Sequence, residues 1–306
     1  MGIKMLGRLI RKNCKNNIKT KNISELRGMR IVIDASIYIY KYKSNGELLS
    51  NIYLMCSVFK YYEMDMLFVF DGKAGEEKKD ELNKRKIDRK EAKHEYYTII
   101  ENNKELTQEM LDRIDILKKK FVRITNDDIN NVKRLLESYG VSYVNAEMEA
   151  DTLCAHMIKT GEYDICLSDD MDLFAYGCNK IIRNIDLINH TCLYYDLTSI
   201  LKSLKIDMDN FRKLCIISGC DYYKSLKNIF YYYDYYSKNK QGVLYDNLLN
   251  SKIITNEDYE KLNIINNIFN LSNINVNNYK ITDNSDNKND DNLKKILELE
   301  NFVFVE

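Results

Sequence analysis

The chain has no proline and no tryptophan, and only 11 glycines and three histidines in 306 residues. Without proline it can hold no collagen-like or polyproline segment and no proline-stiffened linker. A bias toward Asn, Lys, Ile and Tyr, of the kind an AT-rich genome imposes, would deplete both missing residues. It also strips runs of Asn or Tyr of functional weight. The eight cysteines form no C-x-x-C pair and no close cluster with histidine, so zinc is not expected. Free thiols in a reducing, intracellular compartment are the expectation, since no secretory leader is recognisable. No apolar stretch approaches the ~18 residues of a membrane helix, so no membrane partner is expected. Gly2 is followed by Leu6 where a myristoylation signal wants Ser or Thr, which argues against a lipid anchor.

Net charge is also absent: 46 basic residues balance 46 acidic ones. That excludes a uniformly basic coat, but the distribution is uneven. Residues 1–30 hold nine Lys or Arg against the single acid Glu25, and residues 73–93 hold nine against six acids. A basic rim around an acidic pocket can still hold a polyanion through local phosphate contacts. With 45% apolar and 30% charged residues the chain reads as globular.

Three short apolar runs end in acids. Ile31-Val32-Ile33 leads into Asp34. Leu67-Phe68-Val69-Phe70 leads into Asp71. Ile165-Cys166-Leu167 leads into Ser168-Asp169-Asp170-Met171-Asp172. Runs of this kind predict strands buried on both faces of a parallel sheet, and ligands of such sheets sit beyond the strands' carboxyl ends. Neighbouring strands would bring their acids to one edge. Crowded carboxylates repel unless cations hold them, so a divalent-metal site is the economical reading. The pattern predicts helices over 47–62, 127–139 and 150–160, with Gly140 and Gly161 ending the last two, and a strand at 141–144. Residues 73–120 read as two helices inserted in this α/β order, with Leu106, Met110, Ile114, Leu117 and Phe121 on one face. The chain is mainly helical after 196. Residues 272–292 are poor in core formers and predict a flexible segment before a short amphipathic end.

Each acid also has an ordinary reading. Asp34 and Asp71 could be turn or cap residues. Glu147 and Glu149 precede a helix, whose N-terminus favours negative charge. Asp170 and Asp172, two apart after a strand, would point the same way if extended. Asp221 lies in Ile-Ser-Gly-Cys-Asp-Tyr.

Taken together, the motifs resemble the structure-specific 5′ nucleases of the flap endonuclease/XPG type. The resemblance runs through Met1-Gly2-Ile3, Ile33-Asp34-Ala35-Ser36 with Tyr40, and Val69-Phe70-Asp71-Gly72-Lys73. It continues through Glu147-Met148-Glu149-Ala150, Asp170-Met171-Asp172 and Gly219-Cys220-Asp221-Tyr222, covering about residues 1–225. It implies an α/β fold, a central mostly parallel sheet flanked by helices (PIN-like), with a helical arch over about 73–120. A helical DNA-binding extension over 226–271 and a tail over 272–306 would follow.

It implies that Asp34, Asp71, Glu147, Glu149, Asp170, Asp172 and Asp221 bind two Mg²⁺ ions, with Mn²⁺ as a substitute. Oxygen ligands without Cys or His suit these hard cations. It further implies that Lys78 and Arg85, seven apart on one helix face, meet the scissile phosphate, and that a base stacks on Tyr40. The rival for Tyr40 is a core position shared with Tyr38 and Tyr42, since alternation would put all three on one side. Gly2 and Gly219 would lie where backbone approaches DNA. The implied activity is metal-dependent cleavage of 5′-flap or branched DNA in replication, repair or recombination, in a nucleus or at a viral replication site. A 5′–3′ exonuclease or junction-cutting enzyme, an RNA-directed one, and a non-catalytic DNA-binding scaffold are the alternatives.

The sequence departs from the family pattern after Asp221. Lys227-Asn228-Ile229-Phe230 lacks the glycines of the turn that in the family grips duplex phosphate and often a potassium ion, and a tyrosine-rich run, Phe230 to Tyr236, stands where a helix is expected. The segment from Tyr40 to Leu48 is short for the family's 3′-flap pocket. No clear sliding-clamp motif is present, and the end Leu297 to Phe304 is only a faint substitute.

Overall fold

The computed structural model describes residues 2–72, 78–103, 107–239, 242–271 and 279–302. Met1, Lys73, Leu106, the stretch 272–278 and Val303–Phe304, all named above, lie outside them. Helix α1 (Leu6–Asn13) and strand β1 (Ile18–Asn22) precede β2 (Arg30–Asp34), α2 (Ala35–Asn45), α3 (Leu48–Tyr61) and β3 (Asp65–Phe70). Helices α4 (Lys79–Asn102) and α5 (Gln108–Phe121) form the inserted pair. Helix α6 (Asn126–Ser138), β4 (Ser142–Asn145), α7 (Ala150–Thr160), β5 (Ile165–Leu167) and α8 (Asp172–Tyr176) return the chain to the sheet. Strands β6 (Lys180–Asp186) and β7 (Thr191–Asp196) form a hairpin. The helices α9 (Leu197–Leu204), α10 (Met208–Ile217), α11 (Ile229–Lys238), α12 (Leu244–Asn250) and α13 (Asn256–Ile268) follow. Strand β8 (Ile281–Thr282) and α14 (Asp290–Leu297) come last.

Among the described residues the strands form one eight-stranded sheet in the order β1-β7-β6-β5-β2-β3-β4-β8. Its five central members, β6-β5-β2-β3-β4, are mutually parallel; β7 and β8 run against them, and the edge strand β1, antiparallel to β7, runs with them. The apolar runs of β2, β3 and β5 are buried throughout, as a sheet covered on both faces requires. Side chains alternate between two cores. Val32, Leu67, Val69 and Cys166 join one with α1, α7 and α10. Ile31, Ile33, Phe68, Ile165 and Leu167 join the other with α2, α3 and α6. Burying each large apolar side chain of this kind contributes about 1.5–3 kcal/mol.

The α/β order, the inserted helix pair and the helical part after 196 match the expectation. Ile114 and Leu117 of the proposed stripe are buried, and Phe121 meets Tyr96 edge-on across the pair. Three readings need correction. The tyrosine-rich run is a helix, α11: Asn228 caps it, and Tyr232 and Tyr236 recur four apart on its buried face. The segment 272–292 read as flexible is docked over its described part, from Tyr279, and the amphipathic end expected after it packs as α14. There β8 pairs with β4, α14 buries Leu293, Ile296 and Leu297, and Glu300 accepts the backbone N–H groups of Leu49 and Ser50 at the start of α3. Composition hid this because a two-residue strand and a one-turn cap need few core residues; pairing β4 also covers a sheet edge. Finally, α2 is a helix, so Tyr38 and Tyr42 are buried together while Tyr40 faces the other way, 37% exposed.

Candidate metal centre

The site starts from strand register. Val32 lies beside Cys166 and Ile33 beside Leu167, so the next residues on that face are Asp34 and Ser168. The Ser168 hydroxyl donates to Asp34 Oδ2 at 2.9 Å. Beyond Ser168 the chain turns out of the sheet. Asp170 N–H donates to Ser168 Oγ at 3.1 Å, and Asp172 N–H donates to Asp170 Oδ1 at 3.0 Å. Asp172 already opens α8. A side-chain-bridged turn, rather than the extended bracket expected, brings Asp170 and Asp172 together.

Asp151, in the first turn of α7, completes this group. One carboxylate oxygen each from Asp151, Asp170 and Asp172 lie within 4.8 Å of one another. The sequence reading missed Asp151, because an acid near a helix start is ordinary. Its signal was the alternation of acids at 147, 149 and 151. Gly2 backs the pocket: its φ is +82°, and a β-carbon there would collide with Asp170 Oδ1 and Asp172 Oδ1.

The other acids come from the neighbouring edge. Asp71, after β3, accepts the Ala150 N–H at 2.8 Å and so occupies the N-terminus of α7. Gly72 lets that loop press against the next one; a β-carbon would strike the Ala146 and Glu147 carbonyls. Glu149 sits at the cap position of α7 but makes no cap hydrogen bond. Its carboxylate instead meets Lys78 Nζ at 2.7 Å and the Tyr222 hydroxyl at 3.2 Å. Asp221 meets Arg85 at 2.7 Å and Lys78 at 3.6 Å. Glu147 stands exposed on the loop before α7.

The structure therefore gathers Asp34, Asp170 and Asp172 with Asp151. It sets Glu149 and Asp221 beside Lys78 and Arg85, brings the exposed Asp71 to the start of α7 within electrostatic reach of Asp34, and leaves Glu147 on the lip. Tyr40, on α2, donates its hydroxyl to the Lys119 carbonyl near the end of α5 at 2.7 Å. Gly219 accepts the Lys4 N–H at 2.9 Å. A groove leads away from Asp221, lined by Gly2, Lys4, Lys84, Arg85, Lys224, Leu226 and Lys261, with Glu257 and Asp258 also along it.

Electrostatics mark the pocket. Burial, then the neighbouring Asp71 and Asp170, push Asp34 up to about 7, although the Ser168 hydroxyl works the other way. Burial and the surrounding carboxylates hold Asp151 and Asp172 well above the usual carboxylate range. Burial opposes charge on Lys78, but Glu149 and Asp221 outweigh it and hold the ammonium protonated. These are carboxylates that resist ionising unless a cation joins them. The donor set fits one. Asp172 Oδ1 is buried without a hydrogen-bond partner among the described residues. The oxygens around it are those of a hard divalent ion such as Mg²⁺, Mn²⁺ or Ca²⁺.

Comparison with known proteins gives the same outline. The XPG N-terminal domain family matches residues 1–92 and the XPG I-region family matches residues 140–221. Flap endonuclease 1 of Glycine max is 32% identical over 249 residues, covering 75% of this chain and 63% of that protein. Flap endonuclease 1 of Encephalitozoon cuniculi is 30% identical over 277 residues, covering 85% of this chain and 77% of that protein. The chain thus spans less than two thirds of the Glycine max relative, but more of the Encephalitozoon one. Among solved structures, the catalytic core of Rad2 in complex with DNA substrate aligns with 98% of this chain at a TM-score of 0.65 and 21% identity, over 94% of its own length. Flap endonuclease-1 from Methanococcus jannaschii aligns with 92% at 0.61 and 20%, over 95% of its length. At these identities the structural likeness establishes the fold.

Proposed function

This chain belongs to the XPG family, with the flap endonucleases, and from that premise we propose that it is a metal-dependent endonuclease acting near a 5′ end in flap or otherwise branched DNA. One observation carries the reading. Asp34, Asp151, Asp170 and Asp172, from three segments of the chain, lie buried together, and Lys78 and Arg85 stand at the edge of the group.

Asp34, Asp71, Glu147, Glu149, Asp151, Asp170, Asp172 and Asp221 would hold the cations, which we take to be two Mg²⁺ ions with Mn²⁺ as substitute. When bound, such a pair supplies Lewis-acid stabilisation of the phosphate and makes an attacking water more acidic. The protein's own residues do the rest. Ser168 keeps Asp34 oriented by its hydrogen bond, and Asp71 fixes the helix that carries Asp151. Arg85 would exchange its contact with Asp221 for two parallel bonds to the scissile phosphate, and Lys78 would add a point charge. Tyr40 presents an exposed ring on which a base near the scissile bond would stack, worth ~1–3 kcal/mol. Gly2 and Gly219 keep backbone rather than side chains near the acids and the groove. Lys4, Lys84, Lys224 and Lys261 line a path for backbone phosphates. Helices α11–α13 would serve the duplex beyond. The products would be a 5′-phosphate and a 3′-hydroxyl.

The test is product mapping with Mg²⁺ on end-labelled 5′-flap, nicked, bubble and four-way DNA. The reading expects cleavage of the flap at or next to the branch, with slower release from the other substrates. Stepwise mononucleotide release from a nick would make the enzyme a 5′–3′ exonuclease. Flap binding in Ca²⁺ with no cutting in Mg²⁺ or Mn²⁺ would leave a DNA-binding scaffold.

A further inference from the structure

Tyr222 follows Asp221 in sequence but serves a different carboxylate. Its hydroxyl donates to Glu149 Oε2 at 3.2 Å, and its ring lies 5.3 Å from Lys78 Nζ. Lys78 in turn sits 2.7 Å from Glu149 Oε1. One side chain therefore touches both members of an ion pair whose partners are 71 positions apart in the chain, at 78 and 149. The ring also meets Phe269 edge-on, with centroids 5.6 Å apart at 88°, and Phe269 is fully buried. The phenol is thus braced from the helical part and aimed at the acid edge. We infer that Tyr222 is a positioning residue. Its hydroxyl fixes the carboxylate plane of Glu149, and its ring face holds the Lys78 ammonium by a cation–π contact. Each carboxylate oxygen keeps a second lone pair, so the grip orients Glu149 for a divalent ion without using up its ligand capacity.

The inference rests on the nuclease reading for what the pair does, and on the contacts alone for how it is held. A phenol that merely fills space would be replaced by phenylalanine without consequence. Phenylalanine keeps the ring, the Phe269 contact and the cation–π face, and loses only the bond to Glu149.

The experiment titrates Ca²⁺ into the full chain by calorimetry without DNA, and follows single-turnover flap cleavage against Mg²⁺ concentration. Y222F is expected to bind Ca²⁺ about tenfold more weakly and to need correspondingly more Mg²⁺ for half-maximal rate, with melting temperature and flap affinity unchanged. Y222L, which also loses the ring face, is expected to lower the rate at saturating Mg²⁺, and to do so less than additively with K78A. A Y222F isotherm within twofold of wild type, or additive Y222L and K78A effects, would overturn the inference. Should wild type bind Ca²⁺ but cut nothing, the nuclease reading falls while the isotherms still decide the role of Tyr222.

Discussion

The acid pocket and the arch that overhangs it are built in opposite ways. The pocket hangs from strand ends and helix starts whose side chains are buried on both faces of the sheet, and Asp34 and Asp172 are each under 4% exposed. The arch is a two-helix pair with a narrow seam. Ala92, Ile114 and Leu117 are covered, Arg113 bridges to Glu95, and Ile87, Tyr97, Ile100, Leu111 and Ile116 remain exposed. At the rim of the pocket, the arch residues Lys78 and Arg85 are held by ion pairs to Glu149 and Asp221. The acids of the pocket are part of the core. The positive charge is delivered by ion pairs which, on the nuclease reading, would exchange a carboxylate for phosphate. Removing a group from one region should therefore damage chemistry and ion binding. In the other it should damage chemistry while sparing the fold.

The largest effect is expected from Asp170→Ala. It removes a carboxylate at the centre of the group and the acceptor for the Asp172 N–H. Flap cleavage in Mg²⁺ should fall below detection while flap binding in Ca²⁺ persists. Cleavage equal to wild type would dissolve the distinction between pocket and arch, because the pocket would then not be the reacting site.

Arg85→Ala comes next. Loss of one charge-stabilising contact to a transition state costs on the order of 10²–10³ in rate. The melting temperature should hold within ~1 °C, since the ion pair is partly exposed and such pairs contribute little. If melting collapses while turnover per folded molecule is kept, the arch belongs to the core after all. Arg85→Lys should recover only part of the rate, because an ammonium cannot make the paired bonds of a guanidinium.

Much of this division was legible in the sequence. The apolar runs ending at Asp34, Asp71 and Leu167 announced buried parallel strands, and the period of Met110, Ile114 and Leu117 announced an arch helix. What stayed hidden was set by contacts rather than by pattern. Strand β1 is charged and mostly exposed, so nothing in its composition separates it from a loop. Asp151 and Tyr222 acquire their roles only when α7 and the segment after α10 meet at the sheet edge. The docking of β8 and Glu300 depends on partners more than 130 residues away, Val144 in one case and Leu49 in the other, which no local periodicity can show. The resemblance supplied seven acids, and tertiary packing supplied the eighth.

The smallest expected effect is the dependence of stability on pH, and it separates the two regions by sign. In the folded chain Asp34 titrates near 7, above the ordinary carboxylate value of ~3.9 that it regains on unfolding. Between those values the folded state holds the proton more firmly, so this group contributes stability at low pH that is lost as pH rises through 7. Burial raises Asp151 and Asp172 in the same direction. The arch pair works oppositely: Arg113 lowers the pKa of Glu95, whose contribution is present at neutral pH and fades only on strong acidification. In EDTA, melting should therefore rise by ~2 °C or more between pH 8 and pH 5.5, within the window where the pocket titrates and the arch does not. Asp34→Asn should flatten that slope. Saturating Ca²⁺ should flatten or invert it, because the cation favours the deprotonated acids. A chelated wild-type chain that melts lower at pH 5.5 than at pH 8, with Asp34→Asn doing the same, would mean that the pocket carboxylates are ionised without a cation. The contrast between a strained acid core and a relaxed arch would then be lost.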